Sequence, residues 1–307
     1  MTMYGVRRFK RDSGLVTRMY FTMFMLGVLY AIFAMVLWAL SFPIVFIGAL
    51  VGGIALFQYF MSDRIILWGS GAKLVTAEQE PELHQMIKRL ADRAGMPMPK
   101  VAVMNTHVPN AFATGRNPQN ALVAVTVGIR ERLNERELEA VLGHELAHVR
   151  NRDMRVLAIG NFLVTMTSFM MSMFFWSMLF GGFGGGRDRN NNGGAILLIY
   201  LVTIVVYFVG QLLVLALTRY REYGADHSGA EICGDPGALA SALEKISGVM
   251  ARIPSEDLRK LQTASAFLVI PVALNGGVGS LFSTHPRVED RVRRLRELEQ
   301  RMKFGLR

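Results

Sequence analysis

The clearest chemical signal in the sequence is a His-Glu-x-x-His pattern formed by His144, Glu145 and His148. Asn134 is a candidate N-cap with Glu137 three residues later, which predicts that the pattern lies on a helix. Residues four apart share one helix face, so the two histidines can bind one metal ion while Glu145 acts as general base toward water. The alternative is a chance pair of surface histidines flanking a carboxylate, since the pattern fixes three of five positions.

A catalytic zinc site needs a third protein ligand and keeps one position for water. The chain has one cysteine, Cys233, which excludes a Cys-rich zinc site and an intrachain disulfide. No histidine follows His148 at a short spacing, so a glutamate on a second helix is the other solution. Glu222 is the candidate, and Asp226, one turn later, can hydrogen-bond a ligand histidine and hold its ring. The alternative for Glu222 is a solvated helix carboxylate.

The composition is that of a membrane protein: 51% hydrophobic residues, 19% charged residues and a mean hydropathy of +0.30. Met19–Ser62 carries no formal charge and is long enough for two helices, with a natural break at Pro43. Val156–Phe180 and Ala195–Thr218 are two further apolar segments. The sequence therefore predicts four membrane spans, and the apolar run at 19–62 is too long for a signal peptide core.

Polar segments separate these spans and predict a soluble part in two pieces. The predicted organisation is a basic N-terminus at 1–18, a transmembrane hairpin at 19–62, a first soluble piece at 63–153, two spans at 154–218 with a Gly-rich loop at 181–194, and a second soluble piece at 219–307. In the first piece, Glu82–Ala94 has helical periodicity, and Lys100–Thr106 and Ala121–Val127 have strand patterns. In the second, Pro236 and Pro286 are candidate helix starts.

The net charge of +10 has a membrane explanation, because Lys and Arg concentrate in the three polar segments while the 181–194 loop holds just two arginines. The positive-inside rule then places both termini and both soluble pieces in the cytoplasm. Glu222 lies four residues after the end of the fourth span, and the His-Glu-x-x-His helix ends shortly before the start of the third span. Both ligand sets therefore lie within about 10 Å of the same membrane face.

Three motifs in this order resemble HtpX, a family of bacterial membrane heat-shock proteases related to the CAAX prenyl endopeptidases. The motifs are His144-Glu-Leu-Ala-His148, Arg221-Glu-Tyr-Gly-Ala-Asp226 and Ser283-Thr-His-Pro286. The resemblance covers nearly the whole chain. It implies a mainly α membrane protein, with four transmembrane helices and a cytoplasmic gluzincin-like α+β zinc peptidase domain containing a small sheet. It also implies one Zn²⁺ per chain in the bacterial inner membrane, bound by His144, His148 and Glu222, with Glu145 as catalytic base.

The resemblance assigns two further roles. His285 resembles a histidine that stabilises the oxyanion of the tetrahedral intermediate, and the alternative is that it caps the helix beginning at Pro286. The segment Asn110–Thr114 resembles an edge strand that binds the substrate backbone, and the alternative is an ordinary loop. The candidate substrate-binding residues are Asn110, Ala111, Phe112 and Ala113.

The expected function is zinc-dependent cleavage of membrane or misfolded proteins on the cytoplasmic side, in quality control under stress. The expected partners are protein substrates and the lipid bilayer. Two alternatives are processing of lipidated peptides and an inactive scaffold, although a scaffold has no need of Glu145. No basic stretch interleaved with aromatics indicates nucleic-acid binding. The spans lack charged residues, which argues against an ion-coupled transporter.

Overall fold

The computed structural model describes residues 13–41, 70–115, 117–180, 193–250 and 286–304, with a few residues between 45 and 67. The chain forms two compact units. The first comprises residues 1–16, 60–155 and 218–307, and the second comprises 17–59 and 156–217. Three long helices contribute residues to both units, because their residue ranges cross the boundaries at 16, 155 and 217.

A four-stranded sheet lies in the first unit. Its strands are β1 (Lys73–Leu74), β2 (Lys100–Met104), β3 (Ala111–Thr114) and β4 (Leu122–Thr126), in the order β1-β2-β4-β3. β2 and β4 are parallel, while β1 and β3 pair antiparallel at the two edges. Every residue of β4 is buried, as expected for a central strand of Val and Ala. The strand patterns near 100 and 121 are thus confirmed, and β3 is an edge strand.

Helices cover the sheet and form the core of this unit. They are α2 (Pro81–Ala94), the short α3 (Val127–Arg132), α4 (Glu135–Arg150), α7 (Pro236–Met250) and α8 (Val288–Phe304). The predicted helix near 82 is confirmed: Pro81 is its first residue, and Gly95 ends it in a left-handed conformation. The predicted capping box of α4 is also present, because the Asn134 and Glu137 side chains each accept a hydrogen bond from the other's backbone N–H.

The helices α1 (Ser13–Ala39), α5 (Asp153–Phe180) and α6 (Gly193–Cys233) are long and apolar enough to cross a membrane. Within the second unit they bury side chains such as Phe33, Leu37 and Met170. Large apolar side chains also point outward, and Trp38 is 80% exposed. Apolar residues on all faces are typical of helices surrounded by lipid.

The predicted spans compare with the described helices as follows. Of the four predicted spans, three fall on helices of the described residues, and the second half of the 19–62 hairpin lies mostly outside them. The fourth predicted span and the helix expected to contain Glu222 are one continuous helix, because α6 runs unbroken to Cys233. No proline interrupts α6 after Thr218, so one helix contains both the apolar segment and the Glu222 motif.

Candidate metal centre

The three residues of the His-Glu-x-x-His pattern lie on the second half of α4, where His144 and Glu145 are buried and His148 is half-buried. The two imidazole rings meet edge to face, with centroids 4.7 Å apart. Their Nε2 atoms are 3.2 Å apart. The spacing of four residues has therefore brought two nitrogen donors to one point, as the helical prediction required.

Glu222 on α6 completes this group. Its Oε1 is 3.4 Å from His148 Nε2, and its Oε2 is 3.7 Å from His144 Nε2. Within the described part of the chain, His144, His148 and Glu222 are the one set of three such side chains whose donor atoms all lie within 4.8 Å of one another. The structure thus brings together the three residues that the sequence selected from distant positions.

Two glycines allow α4 and α6 to approach closely enough for this meeting. A Cβ on Gly229 would lie 2.6 Å from His144 Cα and 2.8 Å from His144 N. A Cβ on Gly143 would lie 3.2 Å from the carbonyl oxygen of Gly229. The helices therefore cross with backbone against backbone beside a metal-ligand candidate, which only small residues permit.

Each histidine has a carboxylate on its other ring nitrogen. His144 Nδ1 is 3.0 Å from Oδ1 of Asp226, the carboxylate that the sequence predicted to lie behind a ligand histidine. His148 Nδ1 is hydrogen-bonded to Asp153 Oδ2 at 2.6 Å. Asp153 was not a candidate in the sequence, where it merely marked the end of the first soluble piece. A carboxylate on Nδ1 orients the ring and leaves Nε2 free to bind a metal.

Arg291 of α8 is a second site residue that the sequence did not indicate. It is 1% exposed. Its guanidinium donates to both Asp226 carboxylate oxygens, at 2.9 and 2.7 Å, and one of its nitrogens lies 3.3 Å from Glu222 Oε2. Arg291 lies six residues after His285, which places it near the third motif in the sequence. However, the helix contains several arginines, and the sequence gives no reason to select Arg291 among them.

The electrostatics of the site favour charged carboxylates. Burial tends to raise the pKa of Asp226, but the Arg291 charge and the contact with His144 hold that pKa below its usual value. Burial likewise tends to lower the pKa of His148, and the hydrogen bond and charge of Glu222 raise it instead. Burial also opposes the charge of Arg291, while Asp226 and Glu222 raise its pKa further.

The donor set fits a zinc ion on two counts. With Zn–N and Zn–O distances of about 2.0–2.2 Å, donors in a tetrahedral site lie about 3.3–3.6 Å apart, close to the observed 3.2, 3.4 and 3.7 Å. In addition, the buried side chains described around the site include four carboxyl groups and two guanidinium groups. A surplus of buried carboxyl groups over basic groups is typical of a site that binds a metal cation. The carboxylates belong to Glu145, Asp153, Glu222 and Asp226, and the guanidinium groups to Arg221 and Arg291.

Glu145 links the centre to the edge strand β3. Its Oε2 accepts a hydrogen bond of 3.0 Å from the backbone N–H of Ala113. Thr126 N–H donates to the carbonyl of Asn110, so Asn110, Phe112 and Thr114 pair toward β4. Antiparallel pairing alternates, and the backbone groups of Ala111 and Ala113 therefore point away from β4. The four candidate substrate-binding residues lie beside Glu145, and three of them are buried.

The remaining histidines are placed as follows. His285 lies outside the described residues. His84 Nδ1 is 3.0 Å from the carbonyl of Glu80, and His107 forms a largely exposed pair with Glu131 at 3.2 Å. His227 is half-buried on α6. None of these described histidines belongs to the three-residue group at the centre.

Comparisons with known proteins agree with this geometry. Residues 77–299 match Peptidase family M48. A relative named Protease HtpX homolog, from Moorella thermoacetica, is 52% identical over 302 residues, covering 96% of this chain and 98% of that protein. Protease HtpX homolog 2 of Methanosarcina acetivorans is 48% identical, covering 96% and 99%. The crystal structure of S. mikatae Ste24p shares the fold with a TM-score of 0.53 at 16% identity, covering 92% of this chain and 67% of that one.

Proposed function

Because this chain belongs to peptidase family M48 and is a membrane metallopeptidase, we propose that it is a zinc-dependent endopeptidase that cleaves membrane or misfolded proteins. The observation that carries the proposal is the meeting of His144, His148 and Glu222 around one point, with Glu145 beside them. These three side chains would hold one Zn²⁺ per chain. When bound, zinc would polarise the scissile carbonyl and make water a better nucleophile.

The protein groups then have separate tasks. Glu145 takes a proton from the attacking water and passes it to the leaving amine, so that the peptide C–N bond breaks and an amine and a carboxylic acid remain. Burial of Glu145 keeps bulk water from competing for this carboxylate. Asp226 and Asp153 keep the two imidazole rings oriented through their Nδ1 atoms.

The substrate would bind as an extended strand along β3. The backbone groups of Ala111 and Ala113 point away from β4, and Ala113 is partly exposed, so an added strand could pair on this side of β3. The Ala113 N–H that now donates to Glu145 places that edge within one hydrogen bond of the base. A peptide bound to residues 110–113 would thus lie with its backbone beside the reacting groups.

The membrane setting supports the choice of substrates. α5 begins at Asp153, five residues after His148, and α6 contains both an apolar segment and Glu222. Substrates are therefore proposed to be membrane proteins or misfolded chains near the bilayer, in quality control under stress. We also propose four spans in the bacterial inner membrane, with both termini and the catalytic domain, which is gluzincin-like, in the cytoplasm. The distribution of Lys and Arg supports this orientation.

His285 is proposed to stabilise the oxyanion, on the basis of its resemblance to the family motif. His285→Phe is then expected to lower kcat by about 10²–10³-fold, the usual effect of removing one oxyanion donor. Zinc content should stay at the wild-type level. Equal kcat values for the variant and the wild type would contradict the assignment and favour a capping role.

The central experiment compares Glu145→Gln with the wild type in detergent, using an unfolded protein as substrate. Purification with a chelator should give an inactive wild type that regains cleavage with zinc. The variant is expected to bind one equivalent of zinc and to lose about 10²–10⁴-fold in rate. Glu135→Gln is the matched control, since Glu135 lies on the same helix with a side chain that is 75% exposed. Full cleavage by Glu145→Gln would refute the mechanism.

A further inference from the structure

The corner between α4 and α5 contains a buried ion pair that the proposed chemistry does not itself require. Asp153 is the first residue of α5, and its Oδ2 contacts His148 Nδ1. Its other oxygen is paired with the guanidinium of Arg221. The side chains of Asp153 and Arg221 are 5% and 6% exposed. Burying both charges is costly unless the pair is well matched, so a specific role is expected.

The backbone turn between the two helices is what brings Asp153 to His148. In an uninterrupted helix, residues five apart point in directions about 140° different, so the two side chains would not meet. Here α4 ends at Arg150 with Asn151 as its C-cap, and Arg152 adopts a positive φ of 57°. Such a conformation is unusual for a residue with a Cβ, and it redirects the chain so that Asp153 faces back toward the ring.

Arg221 closes this corner from the other ligand helix. It precedes Glu222 on α6, so one short segment supplies a metal-ligand candidate and a partner for Asp153. The same guanidinium also donates to the carbonyl of Asn151 at 3.1 Å. That carbonyl belongs to the end of α4, where helical backbone acceptors lack intrahelical partners. Arg221 therefore joins α6 to the end of α4 and to the start of α5.

We infer that Asp153 and Arg221 are positioning residues for His148. Asp153 accepts a hydrogen bond from the Nδ1–H group of His148 and so directs the Nε2 lone pair toward the centre, and Arg221 keeps the Asp153 side chain in place. The arrangement parallels that of Arg291, Asp226 and His144 on the other side of the centre. The inference rests on the proposed zinc site and adds two residues that determine its affinity.

The test measures zinc affinity by competition with a chromogenic chelator, independently of peptide cleavage. Asp153→Asn and Arg221→Met are each expected to weaken zinc binding by about 10–100-fold, the usual effect of losing such an outer partner. The double variant should be little weaker than either single one, because both act through His148. Asp153→Glu should recover part of the loss. The absorption spectrum of bound Co²⁺ should change in Asp153→Asn.

Arg150→Met is the matched control. Arg150 pairs with Glu231 at 3.2 Å and so also joins α4 to α6, and the two side chains are 28% and 15% exposed. The zinc affinity of Arg150→Met should stay within about twofold of the wild-type affinity, because a partly exposed ion pair contributes little to stability. The inference would be overturned if Asp153→Asn and Arg221→Met kept the zinc affinity and the Co²⁺ absorption spectrum of the wild type and differed from it only in a lower unfolding temperature. Failure of the wild type to bind zinc would instead refute the proposed function.

Discussion

Gly229→Ala tests how the candidate centre is assembled. The new methyl carbon would lie 2.6 Å from His144 Cα and 3.2 Å from the carbonyl carbon of Gly143. These are backbone atoms of α4, so no side-chain rotation can relieve the clash. Carbon atoms in contact normally lie about 3.5–4.0 Å apart, so α4 and α6 must separate by about 1 Å.

The separation has two consequences that can be measured. Inserting a methyl group into a tightly packed interface costs about 1–3 kcal/mol, and the free energy of unfolding should fall by this amount. The distance from Glu222 Oε1 to His148 Nε2 is now 3.4 Å. A shift of about 1 Å takes it beyond the spacing of donors in a tetrahedral zinc site, so zinc affinity should fall at least tenfold.

Denaturant unfolding of the purified protein and zinc titration measure the two quantities. Gly224→Ala is the control on the same helix, because a Cβ there meets nothing within 4 Å. That variant should unfold at equal or higher denaturant, since Ala is about 1 kcal/mol better than Gly inside a helix. If Gly229→Ala matches the wild type in both stability and zinc affinity, the close crossing of α4 and α6 does not assemble the centre.

Three further outcomes are expected. Arg291→Met leaves buried carboxylates on Asp226 and Glu222 without this cation and should cost about 3–5 kcal/mol in the free energy of unfolding, while Arg291→Lys should cost less. Glu137→Gln should cost about 1.5–3 kcal/mol at neutral pH, because a charged hydrogen bond to Lys245 is lost. Burial opposes the charge of Glu137, but bonds from Lys245 and Ser241 lower its pKa. Its stabilising effect therefore exists above the unfolded pKa and is lost as the pH falls, so wild type and variant should converge in acid unfolding curves. Chelation should lower the unfolding temperature in a calorimeter, since a ligand at a thousandfold excess over Kd adds about 4 kcal/mol.

Local patterns allowed much of the fold to be predicted. The helices near residues 82 and 135, the strands near 100 and 121, and three apolar helices all follow from periodicity, caps and hydropathy. These signals depend on residues close to one another along the chain, so a single sequence is enough to predict the elements from them. The structure adds that the fourth apolar segment and the Glu222 motif form a single helix, because α6 continues through a change from apolar to polar residues without a break.

The candidate ligands were also accessible from the sequence. His144 and His148 share a face through helical spacing alone, and Glu222 was selected by its position after an apolar segment. The edge position of β3 followed from resemblance, and pairing with β4 on one side is what the structure shows. By contrast, the residues behind the ligands were missed. Asp153 needs a positive φ at Arg152 to face His148, and no sequence pattern predicts that turn.

The sequence alone therefore determined the candidates: which side chains could bind a metal, which could move a proton, and which segments are apolar enough to cross a membrane. These properties depend on residue type and on spacing along one helix. The tertiary structure decided the support of the centre, in which Arg221 meets Asp153, Arg291 meets Asp226 and Gly229 meets His144. Each of these pairs joins residues at least 65 positions apart, and their approach depends on packing of whole helices, which short-range patterns do not encode.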